Sequence, residues 1–282
     1  EGLVTPQTKI FSSGGLHVGE WFFRDWKVGG HGPTDLDESL DWSVNTYYYT
    51  IGGGYMDREG LGIDRIRLYL SRFGFTSTTG IDIAGEAKGF LPSKEWKKEQ
   101  TGEQWYVGDT YNVSIGQGDV LVTPLQIAYS TGLIANNGTG YSPHLTLSLV
   151  DVNSGKEESV PPRLRDKNLF SSASLSAVRH GMYTCVSRGS CASLRGLPFA
   201  AAAKTGTAQW REGKKHFAWF TSFAPYDNPS LVVTVLIEEG GEGGIVSAPV
   251  VRDFYAWWWQ YMQAQQVEKN IHVDNALDNG VI

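Results

Sequence analysis

The sequence has little sulfur and little charge. It holds two cysteines and three methionines among 282 residues, and only 19% of residues are charged. No apolar run reaches the roughly 18 residues that a membrane-spanning helix needs. The net charge is −6, which argues weakly against a nucleic-acid partner, because a phosphate backbone wants a basic face. The opening stretch, EGLVTPQTKI, has no Met and no charged segment leading into an apolar one. It reads as the interior of something longer and not as a signal peptide. The two cysteines, Cys185 and Cys191 in CVSRGSC, have no histidine cluster beside them, which disfavours zinc there. They are either two core thiols or a short-loop disulfide, the latter requiring an oxidising compartment. No cofactor is expected. What the sequence does have is apolar mass: 41% hydrophobic residues, with ten Trp, thirteen Tyr and twelve Phe. That suffices for one large domain or two lobes.

Periodicity divides the chain in two. Residues 10–30 read as short strands and loop. Thr34 and Asp37 pattern as a capping box, with Leu36 and Leu40 on one helical face. A second helix is predicted over 44–51, loosened or ended by the Gly52–Gly54 run. A third has Ile63, Ile66, Leu70 and Phe73 in one stripe, with Gly74 at its end. Thr123 and Pro124 open another helix, carrying Leu125, Ala128, Tyr129 and Gly132 on one face and ended by Gly138. Residues 141–170 suggest a strand pair around NSGK followed by a Pro-rich linker. Leu175, Val178 and Met182 mark one more amphipathic helix. After Gly196 three strands follow with short turns, FAAAAKTGTAQW, KKHFAWFTSFAPY and SLVVTVLIEEGG, which implies an antiparallel meander. A helix containing Trp257, Trp258 and Trp259 closes the chain, too aromatic around its turn for all three rings to be buried. The expected fold class is α+β, with an antiparallel sheet. It comprises a mostly helical lobe over about 30–195, a strand meander and terminal helix over about 196–265, and a tail over 266–282.

One residue breaks the strand pattern. Lys204 sits in AAAKTGTAQW, and a lysine in an apolar strand is paired, at an edge, or functional. Taken alone it reads as an edge residue reaching water. The next three residues add a hydroxyl (Thr205), a bare backbone (Gly206) and another hydroxyl (Thr207). Together they make a clamp for an extended peptide ending in a carboxylate. Ser43 and Asn45, in SVN, lie at a break between two helices, and alone they would be an N-cap and a solvent-facing amide. An S-x-N element with a downstream K-T-G element belongs to the signature set of penicillin-interacting serine enzymes.

On these residues, and on RDWKVGGHG, SVNTYYY, SIGQGDVLVTPLQIA, HFAWFTSFAP and APVVRDF, the chain resembles the transpeptidase domain of class B penicillin-binding proteins, most closely those of cell elongation. The resemblance implies the penicillin-binding, serine β-lactamase-like fold. It also implies acyl transfer between peptidoglycan stem peptides through a serine acyl-enzyme, which β-lactams trap. Ser43 would relay a proton to the leaving group and Asn45 would bind the substrate amide. Lys204 would hold the Ser43 hydroxyl and supply positive potential. Thr205 and Thr207 would bind the substrate carboxylate, and the Thr207 N–H would form half of an oxyanion hole. Gly206 and Trp210 would line the substrate site. Core packing is an equally good reading of Trp210 and of Trp219, which flanks the same strand, and His216 reads first as an exposed strand histidine and second as a cleft residue. Some members of the family the chain resembles bind zinc near the positions of Asp25 and His31, with a ligand set that includes a cysteine just before S-x-N, where this chain has Leu40 and Asp41. This chain has no cysteine near S-x-N, so a hydrogen-bonded turn is expected there and no metal.

The resemblance has one gap: no serine in the sequence has lysine three places on, so the family's S-x-x-K nucleophile is missing. The expectation is a chain that begins just after the nucleophile helix and works with an upstream segment of the same protein. The implied setting is the periplasmic side of an inner membrane, with the anchor outside this sequence and membrane proteins of the elongation complex as partners. The alternatives are a D,D-carboxypeptidase or β-lactamase, and a non-catalytic scaffold relative that keeps the cleft.

Overall fold

The computed structural model describes the backbone of residues 1–278 and the side chains of residues 1–265. Four short strands come first: β1 (Ile10–Ser12), β2 (Gly15–Val18), β3 (Trp21–Arg24) and β4 (Gly32–Thr34). β2 and β3 form a hairpin, inserted in the sequence between β1 and β4, which pair antiparallel. Helix α1 (Leu36–Asp41) starts one residue later than the Thr34/Asp37 pattern suggests. Asp35 accepts from the Glu38 amide, and Glu38 reaches back to the Asp35 N–H. A glutamate is long enough to close that reciprocal box, while the Thr34 hydroxyl turns to the Gly32 carbonyl instead.

Helix α2 (Asn45–Gly53) runs to a glycine C-cap, Gly54, at a φ of 81°. Helix α3 (Gly62–Arg72) buries Ile63 and Ile66 as its stripe requires. Helices α4 (Lys94–Thr101) and α5 (Val107–Ser114) escaped the sequence reading for a physical reason. The KEWKKEQT segment buries none of its residues, so it has no apolar stripe to detect, and a Ser93 cap opens it. Helix α6 (Pro124–Ala135) is opened as expected by Thr123, in a capping box with Gln126. Strands β5 (Gly140–Tyr141), β6 (Ser148–Val150), β7 (Glu157–Ser159) and β8 (Leu164–Asp166) follow, with β6 and β7 paired around NSGK and β5 paired with β8. Helix α7 (Ser172–Ser187) is capped by Ser171.

The meander is β9 (Ala202–Ala208), β10 (Phe217–Ala224) and β11 (Leu231–Ile237), antiparallel, with β10 central and β9 at one edge. Helix α8 (Gly243–Asp278) extends beyond the expected limit near residue 265. Residues 266–278 of the expected tail are therefore helical, and 279–282 lie outside the described residues. The sheet is sandwiched. Ala203, Phe220, Val251 and Tyr255 pack on the α8 side together with the end of α7. Ala202 and Phe223 pack with Ala135 and Met182 of α6 and α7 on the other. The tryptophan triplet divides as its turn geometry demands. Trp258 joins the α8-side core, Trp259 lies 5.1 Å from the Phe199 ring, and Trp257 is 56% exposed.

The first turn of α8 presses on the sheet backbone. A Cβ on Gly243 would strike the Trp219 carbonyl and lie 2.6 Å from the Gly206 carbonyl oxygen. Neither oxygen can move without breaking the β9–β10 ladder. Gly243→Val is therefore expected to lower unfolding free energy by about 1–3 kcal/mol, read from urea midpoints.

Candidate active site

The S-x-N segment is held from below by a buried carboxylate. Helix α2 begins at Asn45 without a side-chain cap of its own, since Val44 occupies that position. Asp25, just after β3, supplies the missing acceptor. Its Oδ2 accepts from the Thr46 amide (2.9 Å), the Thr46 hydroxyl (2.7 Å) and the Ser12 hydroxyl (3.2 Å). Its Oδ1 accepts from the Trp26 amide (2.9 Å) and the Asn45 amide (3.3 Å). A carboxylate at a helix N-terminus satisfies orphan amides and complements the helix dipole. Ser43, at a φ of 54°, takes the left-handed conformation that non-glycine residues rarely adopt and that recurs at functional sites. The Asn45 side-chain nitrogen donates to the Arg24 carbonyl at 3.4 Å. Both Ser43 and Asn45 are half-buried.

The Asp25 geometry also bears on metal binding. Both carboxylate oxygens are saturated by donors, and His31 Nε2 stands 4.0 Å from Oδ1 with no hydrogen-bond partner. Burial pushes the His31 pKa down, opposed by the Asp25 charge. Among the described residues no group of three or more His, Cys, Asp or Glu side chains could hold a metal ion. The donor set does not fit zinc, and Asp25 serves as the helix cap.

Register places the K-T-G residues. Lys204 opposes Thr221, and Thr205 opposes Phe220. Lys204 therefore shares its sheet face with Thr221, whose hydroxyl bonds Thr131 of α6 (2.8 Å) and Thr234 (2.7 Å). Thr205 and Thr207 share the opposite, α8 face. The motif thus does not present its three side chains in one direction; what they have in common is the outer edge of β9. Gln117, between Gly116 and Gly118, donates Nε2 to the Thr207 carbonyl (3.3 Å) and accepts from the Gln209 amide (3.3 Å). In an antiparallel strand the N–H and C=O of one residue point the same way. The Thr207 N–H therefore lies on the free edge too. Gly206 opposes Trp219, whose Cβ would sit 3.0 Å from a Cβ at Gly206, so a packing constraint adds to any need for close ligand approach.

Lys204 is half-buried, with Nζ donating to the Thr205 carbonyl at 3.0 Å. Burial pushes its pKa down from the ordinary 10.5 to about 8, and the Asp41 negative charge partly restores it. Asp41 itself is fully buried at the end of α1, accepting from the Thr184 hydroxyl and from Arg188 Nε, each at 2.6 Å. Burial raises its pKa, and these two partners hold it back.

Asp41 also joins the two motifs. Its carbonyl accepts from the Ser190 amide at 2.8 Å, and the Ser190 hydroxyl lies 3.0 Å from the Thr205 hydroxyl. The Ser190 N–H to Asp41 carbonyl bond is backbone to backbone. The chain segment two residues before Ser43 is thereby tied to the residue after Lys204. Gly189 permits the approach, since a Cβ there would lie 2.5 Å from the Asp41 carbonyl oxygen. Cys185 and Cys191 close this turn as a disulfide with a Cα–Cα distance of 5.2 Å, which resolves the two readings left open by their spacing. Sequence reasoning assigned no site role to Asp41, Arg188, Ser190 or Gln117. Only Gln117 carried a signal, as a polar residue bracketed by glycines at φ of 72° and 75°. Trp210 lies away from this tie, at the end of β9. It is 44% exposed, stacks on Phe217 and donates its indole N–H to the Lys215 carbonyl. His216 is exposed just before β10.

A family model described as the penicillin binding protein transpeptidase domain matches residues 1–256. The chain is 34% identical to the peptidoglycan D,D-transpeptidase MrdA of Haemophilus influenzae, over 99% of this chain and 44% of that protein. Penicillin-binding protein 2 of Helicobacter pylori superposes with a TM-score of 0.78 at 33% identity, over 92% of this chain and 46% of its own. A complex of that protein with MreC gives 0.76. Penicillin-binding protein 2 of Pseudomonas aeruginosa in complex with WCK 5153 gives 0.77 at 33% identity, over 91% of this chain and 57% of its own. The chain therefore spans about half the length of the relatives it matches. No described helix is long and apolar enough to cross a membrane.

Proposed function

Because this chain belongs to the penicillin-binding protein transpeptidase family, with class B penicillin-binding protein 2 enzymes among its relatives, we propose that it supplies the S-x-N and K-T-G side of a peptidoglycan D,D-transpeptidase site. The nucleophilic serine comes from an S-x-x-K segment outside these 282 residues. That serine attacks the carbonyl of the penultimate D-alanine of a stem peptide. The C–N bond breaks, terminal D-alanine leaves with a proton, and an ester to the serine remains. An amine of a neighbouring stem peptide then displaces the serine and forms the cross-link. β-Lactams stop at the ester.

In this reading Ser43 passes the proton to the departing amine, and Asn45 binds the substrate amide. Charged Lys204 holds the Ser43 hydroxyl and draws in the substrate carboxylate, which Thr205 and Thr207 bind, with Gly206 and Trp210 lining the approach. The Thr207 N–H and the serine's own N–H receive the oxyanion. The observation that supports the reading is the Asp41–Ser190–Thr205 tie, which links the residue two positions before Ser43 to the residue after Lys204. A site on the periplasmic side of the inner membrane, within the elongation complex, accords with the disulfide and with the MreC complex of the H. pylori relative.

The test is binding by this chain of an acetylated peptide ending in D-Ala–D-Ala, compared with its C-terminal amide by calorimetry. Tighter binding of the carboxylate form, lost in Lys204→Met, supports the reading. Equal affinity for the two forms contradicts it and leaves the scaffold alternative.

A further inference from the structure

The disulfide lies beside the polar link between the two motifs. Cys185 and Cys191 are fully buried and bracket the turn that carries Gly189 and Ser190. The turn is fixed at both ends: the Gly189 amide bonds the Cys185 carbonyl (3.1 Å), and the Cys191 amide bonds that same carbonyl (3.0 Å). Between these anchors Ser190 faces three groups. Its amide donates to the Asp41 carbonyl, and its hydroxyl lies 3.0 Å from Thr205 Oγ1 and 3.5 Å from Cys185 Sγ. A disulfide sulfur has no proton to give. The Ser190 hydroxyl is then free to donate to Thr205 Oγ1, which leaves the Thr205 proton for an anionic acceptor.

We propose that Ser190, locked by the Cys185–Cys191 disulfide, is a positioning residue that aims the Thr205 hydroxyl at the carboxylate end of the ligand. This deepens the function proposed above and rests on it. Ser190 touches neither the reacting bond nor the ligand; it acts through Thr205. Its effect falls on the affinity for a terminal carboxylate and not on the rest of the peptide. Pinning the turn covalently keeps the hydroxyl pair in one geometry without requiring the ligand to order it.

The experiment uses the full chain, with the D-Ala–D-Ala peptide and its C-terminal amide as probes. Ser190→Ala, which keeps the disulfide, is expected to weaken carboxylate binding about fivefold, the central value for one neutral hydrogen bond. Binding of the amide form should stay within about twofold. Ser190→Thr restores the hydroxyl and with it most of the carboxylate preference. Cys185→Ala with Cys191→Ala releases the turn and should lose the preference as Ser190→Ala does, with faster amide exchange at residues 203–207. Parallel losses for both probes in Ser190→Ala, or none, would overturn the positioning role. So would a carboxylate preference kept in the double cysteine variant. Failure of the unsubstituted chain to prefer the carboxylate would instead remove the proposed function, so the two failures are distinct.

Discussion

Lys204→Met is expected to abolish the chemistry and strengthen the fold at the same time. In a protein that combines this chain with an S-x-x-K segment, acylation by a β-lactam should fall by about 100- to 1,000-fold, the range for loss of one preorganised electrostatic donor. The stability gain follows from the same burial. The lysine pKa is pushed down to about 8 from 10.5, so the folded state holds the charged form against desolvation. The full difference corresponds to roughly 3 kcal/mol, and the half-buried setting reduces it to about 1–3 kcal/mol. The sign is fixed by linkage. Below pH 8 both folded and unfolded chains carry the proton, and the penalty is complete. Between about 8 and 10.5 the unfolded chain binds more protons, so stability rises with pH, and above that window the penalty is gone. Denaturant midpoints of wild type and Lys204→Met should therefore converge from about pH 7 to about pH 10. Carboxylate binding should run the opposite way, falling as pH passes 8 and the charge is lost. Unchanged acylation in Lys204→Met would contradict the role given to this residue.

Asp25→Ala is expected to be the most damaging single change to the fold around Ser43. Five donors converge on this buried carboxylate, and the substitution strands four of them, the Trp26, Asn45 and Thr46 amides and the Thr46 hydroxyl, while the Ser12 hydroxyl keeps Thr46 Oγ1 as acceptor. Each buried donor left unpaired costs about 1–3 kcal/mol, and rearrangement recovers part of that. A net loss of about 3–5 kcal/mol follows, measured by urea denaturation. Asp25→Asn keeps one acceptor oxygen and should lose less. Added zinc should not stabilise wild type, because the carboxylate oxygens are already occupied. A zinc-dependent rise in melting temperature would show that the cluster is a metal site after all.

The elements that sequence alone exposed are those that bury a stripe. The β9–β11 meander and helices α6 and α7 follow from apolar spacing, caps and turns, and they lie where the spacing puts them. Helices α4 and α5 left no such trace, because α4 buries none of its residues and α5 is largely polar. The extent of α8 was hidden for a related reason. Beyond residue 265 the sequence QVEKNIHVDNALD has no apolar stripe, yet the helix continues to Asp278.

The site divides in the same way. Ser43, Asn45 and the Lys204–Thr207 run stand out as candidates in the sequence because their residue types form a recognisable set. The roles of Asp25, Asp41 and Ser190 do not, since each acts through a contact made by distant parts of the chain. Asp41 meets Arg188 and Thr184 across more than 140 positions, and nothing in its local sequence marks it. The alternation of Lys204 and Thr205 between opposite sheet faces was implicit in the period of a strand. It became informative only once Gln117 identified the free edge.

The central claim is that this chain completes a serine acyl-transfer site whose K-T-G lysine is Lys204. The most direct measurement treats the purified protein with a fluorescent penicillin, digests it and locates the adduct by mass spectrometry, for wild type and Lys204→Met in parallel. The account predicts an adduct on the serine of an S-x-x-K sequence, in a polypeptide that includes or is bound to these residues, and its loss in Lys204→Met. No adduct in wild type, or one formed equally fast without Lys204, would contradict it.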